Sequence, residues 1–177
     1  MRPLEISETQ DYLLKNGKPF FYLADTVWAA FANLSYKQWE AYLKYRKAQG
    51  FNALQISILP IVHDTSTSAE NLNPFLGGEQ GLWRFDHLNP AYFDKAERMI
   101  SMAAEAGFIP VLGVLWRCYV PDTEASKHGF IPSDMPLDAV TAYVKHISAR
   151  FRPYNPIYFV SGDTLWEVER ENRFYSK

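Results

Sequence analysis

Cysteine is almost missing: Cys118 is the single one in 177 residues. One thiol excludes an internal disulfide framework and makes no metal cluster by itself. No other grouping has metal-ligand spacing, so neither a metal nor a cofactor is expected. An excess of either charge is also lacking, with 18 basic against 20 acidic residues and a formal net charge of -2. That balance, without a basic run, gives no reason to expect a nucleic-acid or membrane partner. No apolar run approaches the roughly 18 residues that cross a bilayer. The opening "MRPLEISETQDYLLKNGKPF" lacks the apolar core of a signal peptide, so the expectation is a soluble cytoplasmic protein. No glycine-rich phosphate loop follows any strand-like segment, which lowers nucleotide binding.

Aromatic residues, by contrast, are abundant: 5 Trp, 11 Tyr and 12 Phe, or 16% of the chain. They suit either a core of large rings or a cleft whose flat faces stack on sugars. The apolar fraction of 47% supports one real core, and the length supports one domain, 1–177.

Strand-like and helix-like segments alternate. Asn16-Gly17 marks a hairpin turn, and an apolar strand, covered on both faces, runs through Phe20–Ala24 and ends at Asp25. Ser35 and Gln38 form a capping-box pattern for a helix that Gly50 ends. Residues 51–60 form a second strand, and a polar loop of about 28 residues follows. Asn89 caps a second helix, with Pro90 in its first turn and Gly107 at its end. A third strand (108–116), a polar loop, a third helix and a fourth strand (157–161) complete the pattern β-α-β-α-β-α-β. Helix-to-strand turns are short and strand-to-helix loops are long, as in folds whose working face lies at the strands' carboxyl ends. Two architectures fit: a (β/α)8 barrel represented by its first four units, and a small doubly wound sheet.

The strand ends collect Asp25, Thr26 and Trp28; Gln55, Ser57, His63 and Asp64; Trp116, Arg117, Cys118 and Tyr119; and Ser161, Asp163 and Thr164. Two acids, several donors and large rings around one mouth suit glycoside hydrolysis, in which one carboxyl group protonates the departing oxygen and a second usually acts as nucleophile or base. Asp25 also reads as an N-cap, Asp163 as a turn residue, and His63-Asp64 as a hydrogen-bonded loop. Cys118 lacks a histidine nearby in sequence to activate it. The glycine before Asp163 is expected to let the backbone bend so that the carboxylate points into the mouth.

"NGKPFFYLADTVW", "LSYKQWEAYLKYRKAQGFNALQISIL", "NPAYFDKAERMISMAAEAGFIPVLGVLW" and "ISARFRPYNPIYFVSGDT" resemble, in order, the apiosidase-like catalytic domain of glycoside hydrolases. The resemblance runs from about Tyr12 to Thr164, and its most specific pieces are GKPFF-x-x-x-DT-x-W, Arg46-x-x-x-Gly-Phe-Asn and the strand-four Gly-Asp. It implies a (β/α)8 TIM barrel that cleaves glycosidic bonds of plant-type or other complex carbohydrates, including those of the branched sugar apiose in pectin. It also implies Asp163 as general acid/base, Asp25 as a sugar-binding residue, and Trp28 and Trp116 as pocket walls. His63, Asp64 and Tyr119 are expected to join them in binding substrate. Ser161-Gly162 stands where the family often has two glycines.

The partner carboxylate of such barrels comes from a later strand, and this chain stops after the start of its fourth helix. Only Glu167, Glu169 and Glu171 follow Asp163, and they read as polar positions of a short helix. The expectation is the N-terminal half of a barrel with an incomplete active site and two unpaired strand edges, which invite a homo-oligomer. A non-catalytic carbohydrate-binding half-barrel and an inactive truncated fragment are the alternatives.

Overall fold

The computed structural model of the chain describes residues 4–61, 72–77, 83–127, 134–164 and 169–176. A three-stranded antiparallel sheet opens it: β1 (Glu5–Ile6), β2 (Leu13–Lys15) and β3 (Lys18–Phe20). Asn16 and Gly17 join β2 to β3 with φ of 54° and 73°, the two left-handed positions that a tight hairpin turn uses. The strand expected to run unbroken to Ala24 divides here. Its first part pairs within the hairpin, Phe21 swings out to 79% exposure, and a separate strand β4 (Ala24–Thr26) begins. Asp25 therefore sits within a strand rather than at its end.

After β4 come the single turn α1 (Ala30–Asn33), the helix α2 (Tyr36–Ala48) and β5 (Ala53–Ser57). The long segment after β5 is not all loop. It carries the antiparallel pair β6 (Phe75–Gly77) and β7 (Trp83–Leu88), held by contacts of Phe75 with Trp83 and Phe85. Then follow α3 (Pro90–Glu105), β8 (Ile109–Gly113), a 3-10 turn at Arg117–Tyr119, α4 (Glu124–Lys127), α5 (Leu137–Phe151), β9 (Ile157–Phe159) and α6 (Glu169–Tyr175).

The main sheet is all parallel, in the order β4-β5-β8-β9. Each strand lies beside its predecessor, always on the same side. A doubly wound sheet reverses this order at a switch point, and these four strands do not. Period two divides the sheet into two faces. Leu54, Ile56 and Leu112 join the large core under the helices, with Trp39, Met99, Phe93 and Ile147. Ala53, Ile109 and Val111 face the other way, against Ala24, Ile157, Phe159 and, from the opening sheet, Phe20. The aromatic surplus goes mainly to the first core, where Trp39, Tyr92, Tyr119, Tyr143 and Phe151 are fully buried.

The helices are built as their sequences indicate. Ser35 and Gln38 close a complete capping box on α2, and the Asn89 side chain accepts from Ala91 N at the start of α3. Inside, Trp39 Nε1 donates to the Met99 carbonyl at 2.8 Å and ties α2 to α3.

Candidate functional site

The parallel register fixes what reaches the carboxyl end of the sheet. Thr26, Gln55, Val111 and Ile157 form one row across the strands, and Ser57, Gly113 and Phe159 form the next. The Ser57 amide donates to the Trp28 carbonyl at 3.1 Å, which places Trp28 beside that outer row. Three rings gather there. Trp28 meets Trp116 edge-on with centroids 5.0 Å apart, and Phe159 at 5.5 Å; Trp116 and Phe159 are 6.3 Å apart. Two glycines make room for them. A Cβ on Gly113 would lie 2.5 Å from the Phe159 ring, and one on Gly162 would lie 2.3 Å from the Trp116 ring.

Beside this aromatic corner stands Asp163, exposed, with φ of 56°. The left-handed bend expected of Gly162 thus belongs to Asp163 itself, and aspartate is among the few residues that tolerate it. Gly162 is needed instead for its missing side chain. The turn is braced by hydroxyls: Thr164 Oγ1 donates to Ser161 Oγ at 2.5 Å, and Ser161 Oγ to Tyr175 Oη at 2.8 Å.

Asp25 and Tyr119 are engaged elsewhere. Tyr42 donates to Asp25 Oδ2 at 2.5 Å, and Arg46 pairs with the same oxygen at 2.5 Å. The carboxylate is therefore held on the helix side of β4. Burial, with Asp25 next to it, pushes the Tyr42 hydroxyl well above the usual tyrosine range. Two of the recognisable motifs meet in this contact. Arg46 also lies over the rings of Tyr42 and Phe51, and Asn52 binds the Phe21 carbonyl (2.6 Å) and the Leu23 amide (2.9 Å). Together they lock β4, α2 and β5 as one unit. Tyr119 is buried, donates to the Pro60 carbonyl at 2.7 Å, and stacks on Trp83. His63 and Asp64 lie outside the described residues.

Two residues that read as ordinary are not. Arg117 Nε donates to Glu171 Oε1 at 2.7 Å, and Glu171 is fully buried. Cys118 is buried, and burial first, then the charge of Asp163, push its thiol up to about 12. A nucleophilic cysteine needs the opposite shift. Iodoacetamide at pH 8 is expected to alkylate the folded protein at least about 100-fold more slowly than the urea-unfolded chain. Mass spectrometry of timed samples reads this directly, and comparable rates would show an accessible thiolate.

Among the described residues, no group of three His, Cys, Asp or Glu side chains could hold a metal ion, and no helix is long and apolar enough to cross a membrane.

Known proteins share this arrangement of strands and helices. The profile described as "Apiosidase-like, catalytic domain" matches residues 7–176. Among solved structures, a glycoside hydrolase is similar at 26% identity and a TM-score of 0.71, over 98% of this chain and 36% of that one. A glycoside hydrolase family 5 protein from Bacteroides vulgatus ATCC 8482 is similar at 22% identity and a TM-score of 0.70, over 98% and 35% of the two chains. An endo-1,4-beta-mannanase from Rhizomucor miehei is more distant, with 10% identity, a TM-score of 0.53, and 90% and 60% covered. The last two likenesses concern the fold, which is that of TIM-barrel glycoside hydrolases. The chain spans about a third of the length of the first two structures. No curated protein matches it significantly.

Proposed function

The chain belongs to the apiosidase-like catalytic-domain family, and from that premise we propose that it forms one wall of a (β/α)8 glycoside hydrolase barrel, with Asp163 as general acid/base. The carrying observation is the corner at the carboxyl ends of parallel strands, where Trp28, Trp116 and Phe159 meet and Gly162, the residue before Asp163, packs on Trp116. Barrels of this kind place catalytic groups at that end. The rings supply flat apolar faces for a sugar, and the carboxyl group supplies the proton that the departing glycosidic oxygen needs. The substrate class is a plant-type or other complex carbohydrate.

The reaction also needs a second carboxyl group. Glu171 is enclosed against Arg117, and Asp25 is held by Tyr42 and Arg46. Neither is placed to serve, so the second group is assigned to a strand that closes the barrel. Closure has surfaces to use. Among the described residues, β4 and β9 have no further strand beside them, and Phe21, Leu23, Tyr158 and Val160 are exposed along these edges. Unpaired edges of this sort recruit further strands, from more chain or from a second copy.

The test is hydrolysis of aryl glycosides and plant cell-wall oligosaccharides, followed by reducing-sugar release, with calorimetric binding of the same oligosaccharides in parallel. Turnover supports the enzyme. Saturable binding without turnover moves the chain to a carbohydrate-binding role, and the absence of both overturns the carbohydrate reading.

A further inference from the structure

Helix α6 turns two side chains toward the corner, Glu171 and Tyr175, four residues apart and so on one helical face. Phe174 is buried in the main core and anchors the helix. Glu171 accepts from Arg117 at 2.7 Å, and Arg117 directly follows Trp116. Tyr175 accepts from Ser161 at 2.8 Å, and Ser161 accepts from Thr164 at 2.5 Å. Gly162 and Asp163 are the two residues between those hydroxyls.

Trp116 and Gly162 also pack against each other, since even one methyl on Gly162 would strike the ring. One helix face therefore holds the side chains of Arg117 and Ser161, the chain neighbours of the two residues in that contact. Enclosing a carboxylate is costly unless it is bound by charge and hydrogen bond, and Arg117 provides both. Burial raises the Tyr175 hydroxyl above its usual range, so it stays neutral in its bridge to Ser161.

We infer that Glu171 and Tyr175 are positioning residues that together set the Asp163 carboxyl group against the Trp116 ring. The inference rests on the reading of Asp163 as acid/base. Neither side chain touches substrate in this role. Tyr175 holds the left-handed Asp163 turn through Ser161, and Glu171 holds the turn that follows Trp116 through Arg117.

A spectroscopic test needs no substrate. Trp28 and Trp116, 5.0 Å apart at 79°, hold each other in a fixed asymmetric setting, and near-ultraviolet circular dichroism reads that setting. Trp116→Phe identifies the band by removing it. Tyr175→Phe and Glu171→Gln are each expected to lose most of the band while the far-ultraviolet spectrum stays native. Ser161→Ala removes the same bridge from the loop side and must reproduce the Tyr175→Phe result, which keeps the test decisive if one variant folds poorly. Where turnover is measured, kcat should fall about 10- to 100-fold with KM within about twofold, as misplacement of a reacting group produces. An unchanged band in both Tyr175→Phe and Ser161→Ala overturns the inference, whether or not the melting temperature drops. The band and the effect of Asp163→Asn on turnover are independent, so failure of the acid/base reading is seen separately.

Discussion

Asp163→Asn is expected to lower glycoside turnover by about 10²- to 10⁴-fold, the range that a positioned general acid contributes, and to leave the fold intact. Both halves follow from where the residue sits. Asparagine has the shape of aspartate and also tolerates the left-handed conformation that position 163 adopts, with φ of 56°. The turn therefore keeps its backbone. The side chain is exposed, and exposed substitutions away from special features usually change stability by no more than about 0.5 kcal/mol. What asparagine cannot do is give up a proton to a leaving oxygen. Initial rates on an aryl glycoside, paired with a thermal melt, separate the two effects. An activated leaving group that needs no protonation should recover part of the lost rate, which a folding defect would not allow. Turnover within about threefold of wild type would remove Asp163 from the acid role.

The order of elements was legible in the sequence because its signals are local. Ser35 with Gln38, Asn89 with Pro90, and Asn16-Gly17 each act within a few residues, and each performs as read. Side-chain direction was not legible. Whether Asp25 faces the strand-end mouth or the helices depends on where its strand begins, and a shift of one residue reverses the answer. The division of Phe20–Ala24 between two sheets put that start at Ala24, and Asp25 met Tyr42 and Arg46. The motif Arg46-x-x-x-Gly-Phe-Asn marks the family, yet its side chains brace β4 against α2 and β5 rather than the mouth. Glu171 and Tyr175 were harder still. Their partners lie 54 and 14 residues away, and only their four-residue spacing beside Phe174 hinted at a shared inward face. Tyr119 was expected at a strand end; it lies in the 3-10 turn after β8, with its hydroxyl committed to Pro60 and its ring to the core.

Gly162→Ala carries the second large effect, and it distinguishes two reasons for a glycine before the acid. If the position needed only backbone freedom, a methyl would strain the turn whatever surrounds it. Gly162 does not have a positive φ; the ring of Trp116 is what the methyl would meet, with three ring atoms 2.3, 2.7 and 2.8 Å from the added carbon. The indole has little room to retreat, because Trp28 and Phe159 stand at its other sides. Overpacking of this kind costs about 1–3 kcal/mol. At roughly 2–4 °C per kcal/mol for a chain of this size, the melting temperature should fall by several degrees. Binding of an oligosaccharide should weaken as well, by about 2- to 10-fold if the displaced ring loses one stacking contact. A double-mutant cycle names the cause. Trp116→Leu removes the ring atoms that a methyl would strike, so Gly162→Ala in that background should cost less than about 0.5 kcal/mol. Equal costs in both backgrounds would place the requirement in the backbone, and the Trp116–Gly162 contact would no longer explain why glycine precedes the acid.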